Sequence, residues 1–117
     1  MKTAIIGSRN ITNVDLSRFL PINTTEIVSG GARGVDTVAK EYANRNGLKL
    51  TEFLPDYERF GRGAPLKRNI TIIENADIVL AFWDGKSRGT KFVIDNCRRR
   101  NIPIKIYLAP DFVQMAE

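Results

Sequence analysis

The chain has 117 residues, 43% of them hydrophobic and 26% charged, with a net charge of +5 at neutral pH; that length and mix suit one folded domain with one core, not two domains and not a disordered chain. It has no histidine and a single cysteine, Cys97, which excludes a conventional zinc or other transition-metal site, a His-dependent catalytic triad and a disulfide framework. Chemistry at any site therefore falls to carboxylates, arginines, hydroxyls, amides or a bound cofactor, and no cofactor is required by the composition.

Lys2 to Ile6 is a short β-prone apolar run that stops at Gly7. Thr12-Asn-Val-Asp15 reads as a helix start and Pro21 as a stop, which predicts a short helix over 13–20. Glu26 to Val28 forms the core of a second strand. Val38, Ala39, Tyr42 and Ala43 recur at helical spacing from Val35 on, with Gly47 as the C-terminal cap. Leu48 to Leu54 is a third strand ended by Pro55, and 55–64 reads as a long loop. Leu66, Ile70 and Ile73 mark a helix with Pro65 in its first turn.

Asp77 to Phe82 is a near-continuous apolar run, as expected of a strand buried on both faces. Arg88 to Arg100 returns to helical spacing, Pro103 to Leu108 gives a last strand, and residues 109–117 read as a tail without signals. Cys97 falls within the helical pattern beside Ile94, as a buried thiol would. No apolar run approaches the ~20 residues of a membrane span, and the amino terminus reaches Gly7 and Arg9 too early for a signal-peptide core. A cytoplasmic protein without a membrane partner is expected.

Five alternations of strand and helix with short connections predict an α/β domain over 1–108: a Rossmann-like, three-layer arrangement with a mainly parallel five-stranded sheet and helices on both faces. Right-handed crossovers gather the strand-to-helix loops at one edge, and a strand order 3-2-1-4-5 would open a ligand crevice between the first and fourth strands.

The loops at that edge carry the chemistry. Ser29-Gly-Gly-Ala-Arg-Gly-Val-Asp36 is glycine-rich and opens a helix, so its backbone N–H groups can approach and cradle a phosphate, although the same glycines suit a plain tight turn. It is neither a Walker loop nor a strict GxGxxG. Gly7-Ser8-Arg9 leaves strand one, and Gly85-Lys-Ser-Arg-Gly-Thr90 leaves strand four. The four edge loops, 7–11, 29–36, 55–69 and 83–91, hold nine of the eighteen Lys and Arg but four of the thirteen Asp and Glu. Their balance of +5 equals that of the whole chain, which focuses a positive field on the crevice mouth and favours an anionic ligand.

Arg68 and Asn69 offer bidentate and donor–acceptor contacts to a phosphate or ribose. Trp83 offers a face for a base, or else simply caps the core. Arg98, Arg99 and Arg100 complement a helix dipole, with nucleic-acid contact as the alternative.

Taken together, AIIGSR, IVSGGARGVD, GAPLKRN and DIVLAF followed by GKSRGT resemble the SLOG superfamily, which includes the Smf/DprA DNA-processing proteins and the LOG cytokinin-activating phosphoribohydrolases. The likeness is greatest to its small YspA/YpsA-related branch and covers roughly residues 2–107. The resemblance implies a nucleotide pocket floored by Gly7, Ser8 and Arg9. It further implies a phosphate site from Ser29 through Gly30, Gly31, Ala32, Arg33 and Gly34, a helix start at Asp36, an opposite wall of Arg68 and Asn69, and a second anion site at Gly89 and Thr90.

The LOG enzymes carry PGGxGTxxE, whereas here Phe92-Val93 stands where the catalytic acid is expected. The carboxylates left for glycosidic chemistry are Asp36, Asp56 and Asp84, with Asp36 and Asp84 as the catalytic candidates. The expected function is binding of a small anionic, nucleotide-derived ligand, ADP-ribose-like compounds included, by a sensor or ligand-processing domain rather than an enzyme. The alternatives are a LOG-like N-glycoside (phosphoribo)hydrolase and DprA-like single-stranded nucleic-acid binding, the latter less favoured because the positive charge is confined to loops that suit a small anion. A homo-oligomer stays open.

Overall fold

A computed structural model describes residues 1–116. Its strands are β1 (Lys2–Gly7), β2 (Glu26–Ser29), β3 (Lys49–Glu52), β4 (Ile78–Trp83), β5 (Ile104–Leu108) and β6 (Val113–Gln114), in the order β3-β2-β1-β4-β5-β6. The first five pair in parallel and β6 runs antiparallel to β5. The sheet therefore has six strands, not five. The sixth lies in the tail, where Met115 N donates to Ile106 O at 2.8 Å. Two residues are too few to show the alternation that reveals a strand in sequence.

The α-helices among the described residues are α1 (Val35–Asn46), α2 (Tyr57–Phe60), α3 (Ala64–Glu74) and α4 (Arg88–Arg100). Strand alternation explains why both faces of the sheet are covered. Ile5, Ile27, Leu80 and Phe82 point to one face and pack with Val35, Ala39 and Ala43 of α1. Their neighbours Ala4, Ile6, Val28, Val79 and Ala81 point to the other face and pack with Ile72 and Ile73 of α3 and Val93, Ile94 and Cys97 of α4. The central strands β1 and β4 are thus apolar on both sides, which is why DIVLAF lacks polar alternation. Gly47 closes α1 in the left-handed region at φ 66°, its N–H donating to Ala43 O.

Two local expectations fail for identifiable reasons. Residues 13–20 form a single 3₁₀ turn, Leu16–Arg18, because Asp15 is itself the cap: its Oδ1 accepts from Ser17 N at 3.1 Å and Ser17 Oγ at 2.6 Å. Starting there, the chain meets Pro21 before a second turn can form. The stretch 55–64 is not an open loop, since Asp56 Oδ1 caps α2 through Arg59 N at 3.2 Å and a 3₁₀ turn at Gly61–Gly63 leads directly into α3. No helix among the described residues is long and apolar enough to cross a membrane.

Candidate functional site

At β1 and β4 the strand order reverses: α1 lies on one face of the sheet, α3 and α4 on the other. A cleft of about 350 Å³ opens at the carboxyl ends of these strands, where open parallel sheets bind their ligands. Gly7 ends β1 there and Ser8, Arg9 and Asn10 follow it; Ala32 comes from the β2–α1 connection and Asp36 from the first turn of α1; Pro65, Leu66, Arg68 and Asn69 from the start of α3; Asp84 and Ser87 from the β4–α4 connection, and Gly89 and Thr90 from the first turn of α4.

Close backbone packing brings these loops together. A Cβ at Gly7 would stand 2.5 Å from Val35 Cγ2 and 2.9 Å from Phe82 O, so only glycine lets the start of α1 approach the end of β1. Gly34 adopts φ 79°, and a Cβ there would run into the backbone of Arg9. The GSR and SGGARG loops are therefore seated on each other.

Ser8 joins β1 to the loop after β4. Its buried hydroxyl accepts from Asp84 N at 3.2 Å and lies 2.9 Å from Ser87 Oγ. Asp84 Oδ1 in turn accepts from Lys86 N and Ser87 N, both at 2.8 Å, and from Ser87 Oγ at 3.0 Å. Burial works to raise this carboxyl, but the donors of Ser87 and Lys86, with the Ser8 hydroxyl, outweigh it and hold the pKa at about 2. Asp84 is thus the organiser of its own turn. Because the Ser87 hydroxyl is engaged there, α4 begins without a side-chain cap, and the donors of its first turn are left to the cleft that Gly89 and Thr90 line.

Asp36 is in the opposite condition. It is 9% exposed and accepts one hydrogen bond, from Ala32 N to Oδ2 at 3.0 Å. Burial raises its pKa above the ordinary carboxylate value, against the Ala32 N–H and the nearby Arg68 charge. Behind it, the fully buried Ser29 hydroxyl exerts a small lowering influence, yet it makes no hydrogen bond of regular geometry. Arg68, the natural ion partner, is engaged elsewhere. Its Nε donates to Asn69 Oδ1 at 2.9 Å, and its Nη1 donates to Gly30 O at 2.6 Å and more weakly to Phe53 O at 3.4 Å.

The structure sorts the residues singled out in the sequence into three groups. Gly7, Ser8, Arg9, Ala32, Asp36, Arg68, Asn69, Gly89 and Thr90 meet in the cleft. Gly30, Gly31 and Arg33 instead open onto an adjoining hollow of about 310 Å³, which shares Arg9, Ala32 and Arg68 with the cleft and adds Leu54, Pro55 and Tyr57. Ser29, Gly34 and Trp83 line neither. Trp83 packs against the core, and its Nε1 donates to Ser87 O at 3.1 Å, so the base-stacking expectation gains nothing from its position. Arg68 and Asn69 likewise do not stand opposite the glycine loop, because Arg68 is bonded to it.

Asn10, Pro65, Leu66 and Ser87 are cleft residues that sequence reasoning passed over, although each lies within or beside a quoted motif. Tyr57, in the hollow, had no signal because its segment read as loop. The charge is also distributed more sharply than the loops imply. In the cleft Arg9 and Arg68 face Asp36 and Asp84, whereas the hollow has three arginines and no carboxylate. Among the described residues no group of three acidic, cysteine or histidine side chains is placed to hold a metal.

Comparison with known proteins decides the family. Residues 2–60, from β1 through α2, match the YAcAr family, described as the YspA, cpYpsA-related SLOG family. The chain belongs to this SLOG family. It is also 36% identical over 84 residues to the Gene 61 protein of Mycobacterium phage D29, an alignment covering 67% of each protein. No solved structure matches it significantly. The SLOG match takes in the GSR and SGGARG loops and ends before Arg68 and the GKSRGT loop, so the assignment of those last two to the site rests on the cleft geometry.

Proposed function

We propose that this SLOG domain binds a nucleotide or nucleotide-derived phosphorylated ligand across the carboxyl edge of β1 and β4, as a sensor or ligand-processing domain. The observation that carries the reading is the cleft at the strand-order reversal, lined by Arg9 and Arg68 and entered by the uncapped first turn of α4 at Gly89 and Thr90. Family membership supports a nucleotide-related role, and the volume of about 350 Å³ falls within the range of small-ligand sites.

Hydrolysis of the ligand at an N-glycosidic bond is the second reading, and Asp36 favours it. Asp84 is held ionised by its own turn, whereas Asp36 is cleft-lining, buried and raised toward the range useful to a general acid or base. The two readings part on the fate of the ligand.

The test is thermal unfolding with nucleoside 5′-mono- and diphosphates, ADP-ribose and short single-stranded DNA, with mass spectrometry of each mixture. A nucleotide at a hundred times its Kd stabilises by about 2.7 kcal/mol, on the order of 10 °C in Tm. Arg9→Ala is expected to remove most of that shift. Intact ligand supports the sensor, and free base with sugar phosphate supports the hydrolase. Stabilisation by DNA with none by any nucleotide overturns both.

A further inference from the structure

The cleft proposed to take an anion is lined by a carboxylate at Asp36, and a carboxylate repels a phosphate. Whatever part of the ligand meets Asp36 must therefore bring hydrogen-bond donors. The side chain has capacity to receive them. Ala32 N occupies Oδ2, Arg68 spends its Nε and Nη1 on Asn69, Gly30 and Phe53, and Oδ1 accepts no hydrogen bond among the described residues. The wholly buried Ser29 hydroxyl behind it is near enough to lower the Asp36 pKa, but makes no hydrogen bond of regular geometry. A buried acceptor in that condition gains from a donor supplied by a ligand.

A nucleotide carries three parts: the phosphate, the base and the sugar between them. The uncapped start of α4 suits the phosphate, and the apolar lining of Ile6, Pro65, Leu66 and Ile72 suits the flat base. The sugar remains, and a ribose offers two adjacent hydroxyls to one carboxylate. We infer that Asp36 is the sugar-recognition residue of this cleft, accepting hydrogen bonds from the vicinal hydroxyls of a ribose and thereby selecting ribonucleotides over deoxyribonucleotides. The inference rests on the nucleotide reading above.

It is tested by titration calorimetry of the wild-type protein and Asp36→Asn with adenosine and guanosine 5′-monophosphates and their 2′-deoxy and 3′-deoxy counterparts. The wild type is expected to prefer the ribose forms by about 10- to 100-fold, because an acceptor built for a hydroxyl is left unpaired by the analogue that lacks it. Asp36→Asn is expected to shrink that ratio by weakening ribose binding while deoxyribose binding stays nearly level. Equal wild-type affinity for ribose and deoxyribose forms overturns the inference and leaves the nucleotide reading standing. So does discrimination that follows the base and ignores the sugar. Absence of binding to every one of these nucleotides overturns the reading itself. If the variant does not fold, equal wild-type affinity for ribose and deoxyribose forms still overturns the inference.

Discussion

Asp84 and Asp36 stand beside glycine-containing loops at the mouth of one cleft, but Asp84 Oδ1 collects Lys86 N, Ser87 N and Ser87 Oγ while Asp36 has one protein donor, Ala32 N. The Asp84 side is a finished turn whose carboxyl is driven down to about 2; the Asp36 side is buried with its acceptor capacity unmet and its carboxyl driven up. Two acids that look alike in sequence are thus separated by the number of N–H and O–H groups around them. A saturated carboxylate shapes the site, and an unsaturated one is available to a ligand.

The largest disruption comes from the backbone on which the Asp36 side is built. Gly34→Ala forces a side chain into φ 79° and against the Arg9 backbone, and is expected to cost about 3 kcal/mol or more. Gly47→Ala is the control: it also has positive φ, 66°, but nothing within 4 Å of the added Cβ, so it carries the backbone penalty alone, about 1 kcal/mol. Urea unfolding of both variants measures the difference. Equal costs would mean that the two loops are not packed as described.

Next in size is the removal of the saturated acid. Asp84→Ala strips an acceptor from three hydrogen bonds and is expected to destabilise by about 2 kcal/mol, discounted for partial exposure. A folded pKa of about 2 lies below the ordinary 3.8, so its stabilisation is present above pH 4 and is lost as the pH falls from about 4 to about 2. The wild type should lose stability in that window and Asp84→Ala should lose less. Parallel curves would contradict the hydrogen-bond account.

Much of this was legible in the sequence because it follows from periodicity. Apolar runs marked the central strands and helical spacing marked α1, α3 and α4, and glycine stops marked where β1, α1 and the loop before α4 begin or end. What was illegible depends on contacts between distant segments. Nothing in Arg68-Asn69 tells that the guanidinium closes on Gly30 O, 38 residues away, which turns a presumed wall into a clamp. Nor does SGGARG reveal that Gly30 and Gly31 open onto the hollow, Asp36 onto the cleft and Ala32 onto both. The helix expected over 13–20 failed more locally, because Asp15 rather than Thr12 supplied the cap.

The smallest expected effect sharpens the contrast most, because its sign is opposite. Asp36→Asn keeps a carbonyl oxygen for Ala32 N while removing a buried negative charge, so at pH 7 the variant is expected to be more stable than the wild type, by less than about 1 kcal/mol. The folded pKa of Asp36 is raised above 3.8. Its carboxyl therefore gives the wild type its best relative stability below pH 3.8, where it is protonated in both states, and that advantage is lost as the pH rises through the folded pKa. The gap between Asp36→Asn and the wild type should accordingly open as the pH rises from about 4, above the range in which the Asp84 contribution is completed. Urea unfolding of the two proteins from pH 2 to 8 traces both slopes, that of Asp84 below pH 4 and that of Asp36 above it. If Asp36→Asn instead destabilised the chain increasingly as pH rose, the carboxylate would be a satisfied structural anion like Asp84, and the case for a ligand donor at Asp36 would go with it.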